Sequence, residues 1–179
     1  MNTPKLERIY RRFQRHFHIW VESLHHYSEE EFNFQPDENS WSLGQVYYHL
    51  LVTSKGILNQ YIPDCLTQLE NLSEKKSTTG TYLFLLGKFP PIKAQYKGTP
   101  PPSSVNIEEI RQEFPTINKW MMQRMVELDH SEGSGKRHHF TLGYLSAYEW
   151  FQFVEMHFHH HLRQKKRIEE QFPKMNYSS

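Results

Sequence analysis

Apolar residues recur at spacings of three and four along several stretches of the chain, a pattern typical of helices with one buried face. This spacing predicts a first helix from about Pro4 to Tyr27. A second helix begins where Ser42 and Gln45 form an S-x-x-Q capping pattern, and we expect it to end near Leu72. Residues 28–40 between the two helices are expected to form a connection.

The same pattern returns in the second half of the chain. A third helix is predicted from Asn106 to Leu128, with a kink or a break at Pro115 because proline removes a backbone donor and clashes with the preceding turn. Residues 130–139 are expected to be a loop with solvated histidines. A last helix is predicted from Ser146 to Gln171, closed by Pro173.

Four amphipathic helices predict an all-α fold, an antiparallel four-helix bundle formed by one domain over residues 1–179. The connection between helices 2 and 3, residues 71–105, is long for a compact domain, and it contains apolar residues. We therefore expect it to pack over the mouth of the bundle. Apolar residues make up 37% and charged residues 23% of the chain, a globular composition.

Charge and cysteine content exclude several classes of function. The formal net charge is +1, which argues against a nucleic-acid or membrane-surface partner. Cys65 is the only cysteine, so the chain has neither an internal disulfide nor a thiolate metal cluster. The sequence has no stretch of 18 uninterrupted apolar residues and no signal-like start. We expect a cytoplasmic protein.

Histidine is the residue that suggests chemistry, because 12 are present and four of them lie within five positions near the C-terminus. On a helix, His157 and His161 lie within roughly 40° of each other and about 6 Å apart along the axis, so they could share a metal ion. His159 points to nearly the opposite side, and His160 lies about 60° from His157. His49 lies on the apolar stripe of the second helix.

Three imidazoles brought together in the interior of a bundle would leave a coordination position open, as in a catalytic zinc site, and would also suit nickel or iron. Histidine pairs at this spacing also arise by chance, and a lone histidine on an apolar face is often a hydrogen-bonded core residue. From spacing alone, both interpretations remain open.

Two segments resemble the signature of the DinB/YfiT-like superfamily. Residues Trp41 to Leu50 follow the pattern W-S-x-x-Q-x-x-x-H-L. Residues Phe140 to Trp150, followed by His157, the doublet 160–161 and Gln164, are similar to the closing H-x-x-H-H-x-x-Q helix. The similarity extends from about residue 5 to 170 and implies a four-helix bundle, often dimeric, with a divalent metal.

The resemblance implies that His49, His157 and His161 hold the ion, with zinc or nickel first and iron or manganese as alternatives. It implies a small-molecule substrate, a homodimer and an enzyme that transfers a low-molecular-weight thiol to an electrophile. Hydrolysis of a small molecule and a non-catalytic ligand-binding or partner-binding bundle remain alternatives. Glu155 and Gln164 are candidates for orienting an imidazole, although Glu155 could equally be a solvated carboxylate.

Overall fold

The computed structural model of the chain describes residues 3–90 and 100–172 and is predominantly helical, as predicted. Its α-helices are α1 (Thr3–Leu24), α2 (Glu29–Asn33), α3 (Leu43–Gly56), α4 (Ile62–Thr67), α5 (Thr78–Leu86), α6 (Ile107–Glu113), α7 (Thr116–Asp129) and α8 (Ala147–Glu169). A π-helical turn, Ile57–Tyr61, joins α3 to α4. Strands β1 (Lys136–His139) and β2 (Gly143–Ser146) form an antiparallel pair that was not predicted.

Side-chain caps set several helix starts. Ser42 and Gln45 form a reciprocal capping box at α3, and Ser146 and Glu149 form another at α8, both as predicted. A third box, between Ser28 and Glu31, starts α2. The expectation of a plain connection over residues 28–40 is therefore wrong in this part.

The predicted second helix is interrupted and ends early. Its π-helical turn lies just before Pro63, which has no N–H to donate, and the widened turn accommodates this residue. The helix ends at Thr67, and Gln68 is extended, so the expected end near Leu72 is wrong. Gly135 explains the early end, because its N–H donates to the Cys65 carbonyl at 2.7 Å and so binds the last turn of α4.

The hairpin lies where a loop was expected. Lys136 pairs with Ser146, and His139 with Gly143. Gly143 also forms an isolated bridge with Lys76, and its φ of 78° suits glycine. Any Cβ at this position would lie 2.4 Å from the Ser77 backbone nitrogen. The strand pair therefore depends on contact with a segment far away in sequence.

The long connection is structured in its described parts. Ser77 caps α5 at its start, and Gly87 ends it in the left-handed conformation. The apolar residues from Tyr82 onward are therefore helical, which was not predicted. On the other side of residues 91–99, Asn106 caps α6, and the predicted break at Pro115 is confirmed by the boundary between α6 and α7.

The directions of the long helices differ from a fully antiparallel arrangement. Arg12 contacts Glu155, and His16, one turn later in α1, stacks on His159, one turn later in α8. Tyr27, just after α1, contacts Glu169 at the end of α8, so these two neighbouring helices run in the same direction. In contrast, α3 runs against α8. Tyr10 contacts Asn118 while Phe17, later in α1, stacks on Phe114, just before α7, so α7 runs against α1 and in the same direction as α3. Two consecutive helices that run in the same direction need a long crossover between them, and this accounts for the length of the 71–105 connection.

The core is rich in aromatic rings where α1, α3 and α8 meet. Trp20 lies edge-on to Tyr47 and Phe158, and its Nε1–H donates to the Phe158 carbonyl. The Tyr47 hydroxyl donates to the Trp20 carbonyl at 2.7 Å, so the polar ends of both rings are satisfied. This packing holds α3 against α8. The predicted closure by Pro173 lies outside the described residues, and no described helix could cross a membrane.

Candidate metal centre

His49 reaches the boundary between α3 and α8 because Ser42 starts α3 seven residues earlier, and two turns of helix turn the imidazole inward. Trp41, just before the cap, packs its ring 5.3 Å from the His49 ring. The local sequence therefore sets both the position of this histidine and one neighbour.

His157 and His161 lie one turn apart on α8 and face His49 across the helix boundary. The Nε2 atom of His157 is 3.0 Å from Nε2 of His49 and 2.9 Å from Nε2 of His161. One ligand atom from each histidine lies within 4.8 Å of the others. The three residues are only 8–9% exposed. The predicted residues therefore meet in one buried cluster.

The donor set of this cluster fits a metal ion. Two nitrogens bound at about 2.0–2.1 Å to one tetrahedral ion lie about 3.3 Å apart, close to the two Nε2 separations from His157. Burial lowers the pKa of His49 to about 4 and that of His161 to about 3, with neighbouring histidines contributing. Burial also holds the pKa of His157 well below its usual value. Neutral imidazoles with free lone pairs are the form that metals bind.

Gln164 contacts one of the three imidazoles directly. Its Oε1 lies 2.8 Å from Nδ1 of His161. An amide oxygen can only accept, so Nδ1 carries the proton and Nε2 presents its lone pair to the other two histidines. The position predicted for Gln164 thus selects the tautomer that a metal ligand needs.

Glu155 lies on another face of α8. Its carboxylate is 0% exposed and accepts from Arg12, with Nε 3.2 Å from Oε1 and one terminal nitrogen 3.0 Å from Oε2. Nδ1 of His16 lies 3.4 Å from Oε1. Glu155 is therefore neither a solvated carboxylate nor placed beside the three-histidine cluster. It is half of an ion pair between α1 and α8.

The remaining histidines of the run have separate surroundings. His159 stacks on His16 with ring centres 4.5 Å apart, on the same side of α8 as Glu155. His160 lies beside His161, its ring 5.7 Å from that of Phe89. Neither belongs to the group that could hold an ion.

His139 differs from the solvated histidine that the sequence predicted. The half-buried ring packs 5.3 Å from Phe153, and Nδ1 accepts from the backbone N–H groups of Thr141 and Leu142. Burial, with a smaller effect of His138, lowers the pKa of His139 to about 4. The hairpin produces this environment, and the sequence contained no strand signal from which to predict it.

Two phenylalanines near the cluster were not predicted as functional residues. The Phe153 ring lies 5.3 Å from that of His157, and Phe89 packs 5.5 Å from Phe153. The position of Phe153 four residues before His157 was a usable signal, since such residues share a helix face. Phe89 arrives from the long connection, where spacing carries no such information.

Comparison with known proteins supports a family assignment. The sequence model of a family described as the DinB superfamily matches residues 6–164. No curated protein and no solved structure matches the chain. The matched range includes all three histidines of the cluster.

Proposed function

The chain belongs to the DinB superfamily, and we propose that it is a divalent-metal-dependent enzyme whose ion is held by His49, His157 and His161. The observation that carries this proposal is the convergence of three buried imidazole nitrogens. Zinc or nickel suits this donor set first, and iron or manganese is an alternative.

When bound, the ion would act as a Lewis acid that lowers the pKa of a thiol or a water molecule at its open position. Side chains of the protein would set the protonation of the imidazoles and their access to water. Gln164 holds the proton on Nδ1 of His161, and burial lowers the pKa of all three imidazoles and so favours their neutral form. The rings of Trp41 and Phe153 exclude water from two sides of the cluster.

We propose transfer of a low-molecular-weight thiol as the reaction. The sulfur forms a bond to an electrophilic carbon, the thiol proton passes to solvent, and the leaving group departs with its electron pair. Hydrolysis of a small molecule is the second candidate, since the same site could activate water. A non-catalytic bundle that binds a ligand or a partner is the rival from another class.

We further propose that the long helical segments form a four-helix bundle and that the protein assembles as a homodimer. The packing of α1 against α8 and α7, and of α3 against the same two helices, supports the bundle. The homodimer rests on the family resemblance alone. Light scattering of the purified protein tests it.

Metal analysis of untagged protein tests the central proposal. We expect about one divalent ion per chain, lost in His49→Ala and His157→Ala but kept in His160→Ala, which is the matched control on the same helix. An ion at 100 times its Kd stabilises a protein by about 2.7 kcal/mol. For a chain of this size, we expect zinc to raise the Tm by about 5–11 °C.

The outcomes separate the alternatives. Zinc binding that survives in both alanine variants, or a folded protein that binds no divalent ion, would contradict the metal site. For loaded protein, a panel of thiols with a chromogenic electrophile tests the transferase. Turnover that does not depend on the thiol would instead favour the hydrolase.

A further inference from the structure

We propose that Phe89 and Phe153 form an aromatic wall beside the three-histidine cluster and select substrates with an aromatic body. The aromatic wall consists of these two side chains only. The inference rests on the proposed metal function, because it assumes that the reacting group of the substrate is held at the cluster.

Phe153 is fixed on the same helix as two of the histidines. It lies one turn before His157, its ring centre is 5.3 Å from the His157 ring, and the residue is 7% exposed. The ring packs against Trp150 and His139 as well, so it has little freedom to move. A ligand at the cluster would therefore meet a rigid aromatic surface.

Phe89 completes the wall from the long connection. Its ring lies nearly edge-on to both Phe153 and His160, with centres 5.5 Å and 5.7 Å apart. Phe89 is only half-buried, so part of its ring is available to a ligand. Edge-to-face and offset contacts at these distances are the ones that favour another aromatic ring.

The segment that carries Phe89 is held in place by a specific contact. Gly87 ends α5 in the left-handed conformation, and its carbonyl accepts from a guanidinium N–H of Arg12 at 3.1 Å. Arg12 is in turn paired with the buried Glu155. The direction in which the chain leaves α5 is therefore set two residues before Phe89.

The burial of the cluster agrees with an uncharged, apolar substrate body. His49, His157 and His161 are only 8–9% exposed, and Phe153 beside them is 7% exposed. A charged group on the substrate body would lose its hydration in surroundings this buried and apolar. Aromatic thiols and aromatic electrophiles meet this requirement.

Thiol binding to the cobalt-loaded full-length protein tests the proposal without needing turnover. Coordination of sulfur to cobalt gives a charge-transfer absorbance, and the thiol proton passes to the buffer. The probes are phenylmethanethiol and 2-mercaptoethanol. We expect phenylmethanethiol to bind at least about tenfold more tightly, equal to about 1.4 kcal/mol.

Two variants test whether the wall causes the preference for phenylmethanethiol over 2-mercaptoethanol. We expect Phe89→Ala to reduce this preference to about threefold or less while leaving the affinity for 2-mercaptoethanol unchanged. Phe153→Leu, which keeps an apolar side chain in the core, should reduce it similarly if Phe89→Ala disturbs folding. Tyr82→Ala is the control, because this aromatic side chain on α5 is 60% exposed. It should leave the preference intact.

Each failure has a distinct meaning. Folded protein that binds no cobalt would overturn the proposed metal function and this inference with it. Cobalt-loaded protein that binds both thiols equally, or keeps its preference in Phe89→Ala and Phe153→Leu, would overturn the wall alone. Binding of phenylmethanethiol to metal-free His157→Ala as tightly as to the cobalt-loaded protein, measured by equilibrium dialysis, would show that the thiol binds away from the cluster and would also overturn the wall.

Discussion

The pair formed by Arg12 and Glu155 provides the sharpest test of the forces between α1 and α8. Glu155 is fully buried, whereas the Arg12 side chain is 35% exposed. Removal of either partner therefore has different consequences. In Arg12→Met the carboxylate stays in the interior and loses its guanidinium, whereas in Glu155→Met the guanidinium can still reach water.

The expected loss in the free energy of unfolding for each variant follows from this difference in exposure between Glu155 and Arg12. Loss of one partner of a buried ion pair costs about 3–5 kcal/mol because the other charge is left unpaired. Partial exposure of Arg12 reduces this cost by solvent screening, so we expect Arg12→Met to lower the free energy of unfolding by about 2–4 kcal/mol. Glu155→Met should cost about 1 kcal/mol or less, since an apolar side chain of similar volume fills the site.

Urea unfolding of the metal-free protein at pH 8, followed by circular dichroism, measures both values. The double variant should be more stable than Arg12→Met alone, because no buried charge remains. Equal costs for the two single variants would refute the reasoning, as would a double variant that is less stable than Arg12→Met.

Two further predictions concern groups around the cluster. Gln164→Leu should weaken zinc binding about 10–100-fold, measured by competition with a chelating dye. Gln164→Glu should retain zinc binding because a carboxylate also accepts from Nδ1–H of His161. Equal zinc affinities in both variants would contradict this role of Gln164. The pKa of His139 falls from 6.5 to about 4 on folding, so the unfolded chain binds more protons between these values and the metal-free protein loses stability as the pH falls from 6.5 to 4. His139→Asn keeps an acceptor that does not titrate, and in acid unfolding it should lose less stability over this range, by up to about 3 kcal/mol; identical pH profiles would contradict the prediction.

The residues of the three-histidine cluster could be named as candidates from the sequence because each signal is local, whereas their meeting in one cluster was implied by the family resemblance. The spacing of His157 and His161 places them on one face of any helix, and the apolar stripe around His49 indicates which way that side chain turns. The cap at Ser42 and the break at Pro115 were predictable for the same reason, since each depends on residues within one turn.

Features that depend on distant partners could not be predicted in this way. The residues of β1, Lys136–His139, have no apolar alternation, and the pairing with β2 is supported by Lys76 from another part of the chain. The end of the second helix at Thr67 depends on a bond from Gly135. An apolar stripe also indicates a buried face but not the direction of the neighbouring helix, so the parallel course of α1 and α8 was missed.

Side chains of α8 face different neighbouring helices according to their angular positions around the helix axis. Glu155 and His159 each lie about 200° from His157 on the helix, so they face α1, while His157 and His161 face α3. The ion pair with Arg12 therefore lies on one side and the three-histidine cluster on the other. One helix can therefore place a charged partner against α1 and imidazole donors against α3, although Glu155 and His157 are neighbours in sequence.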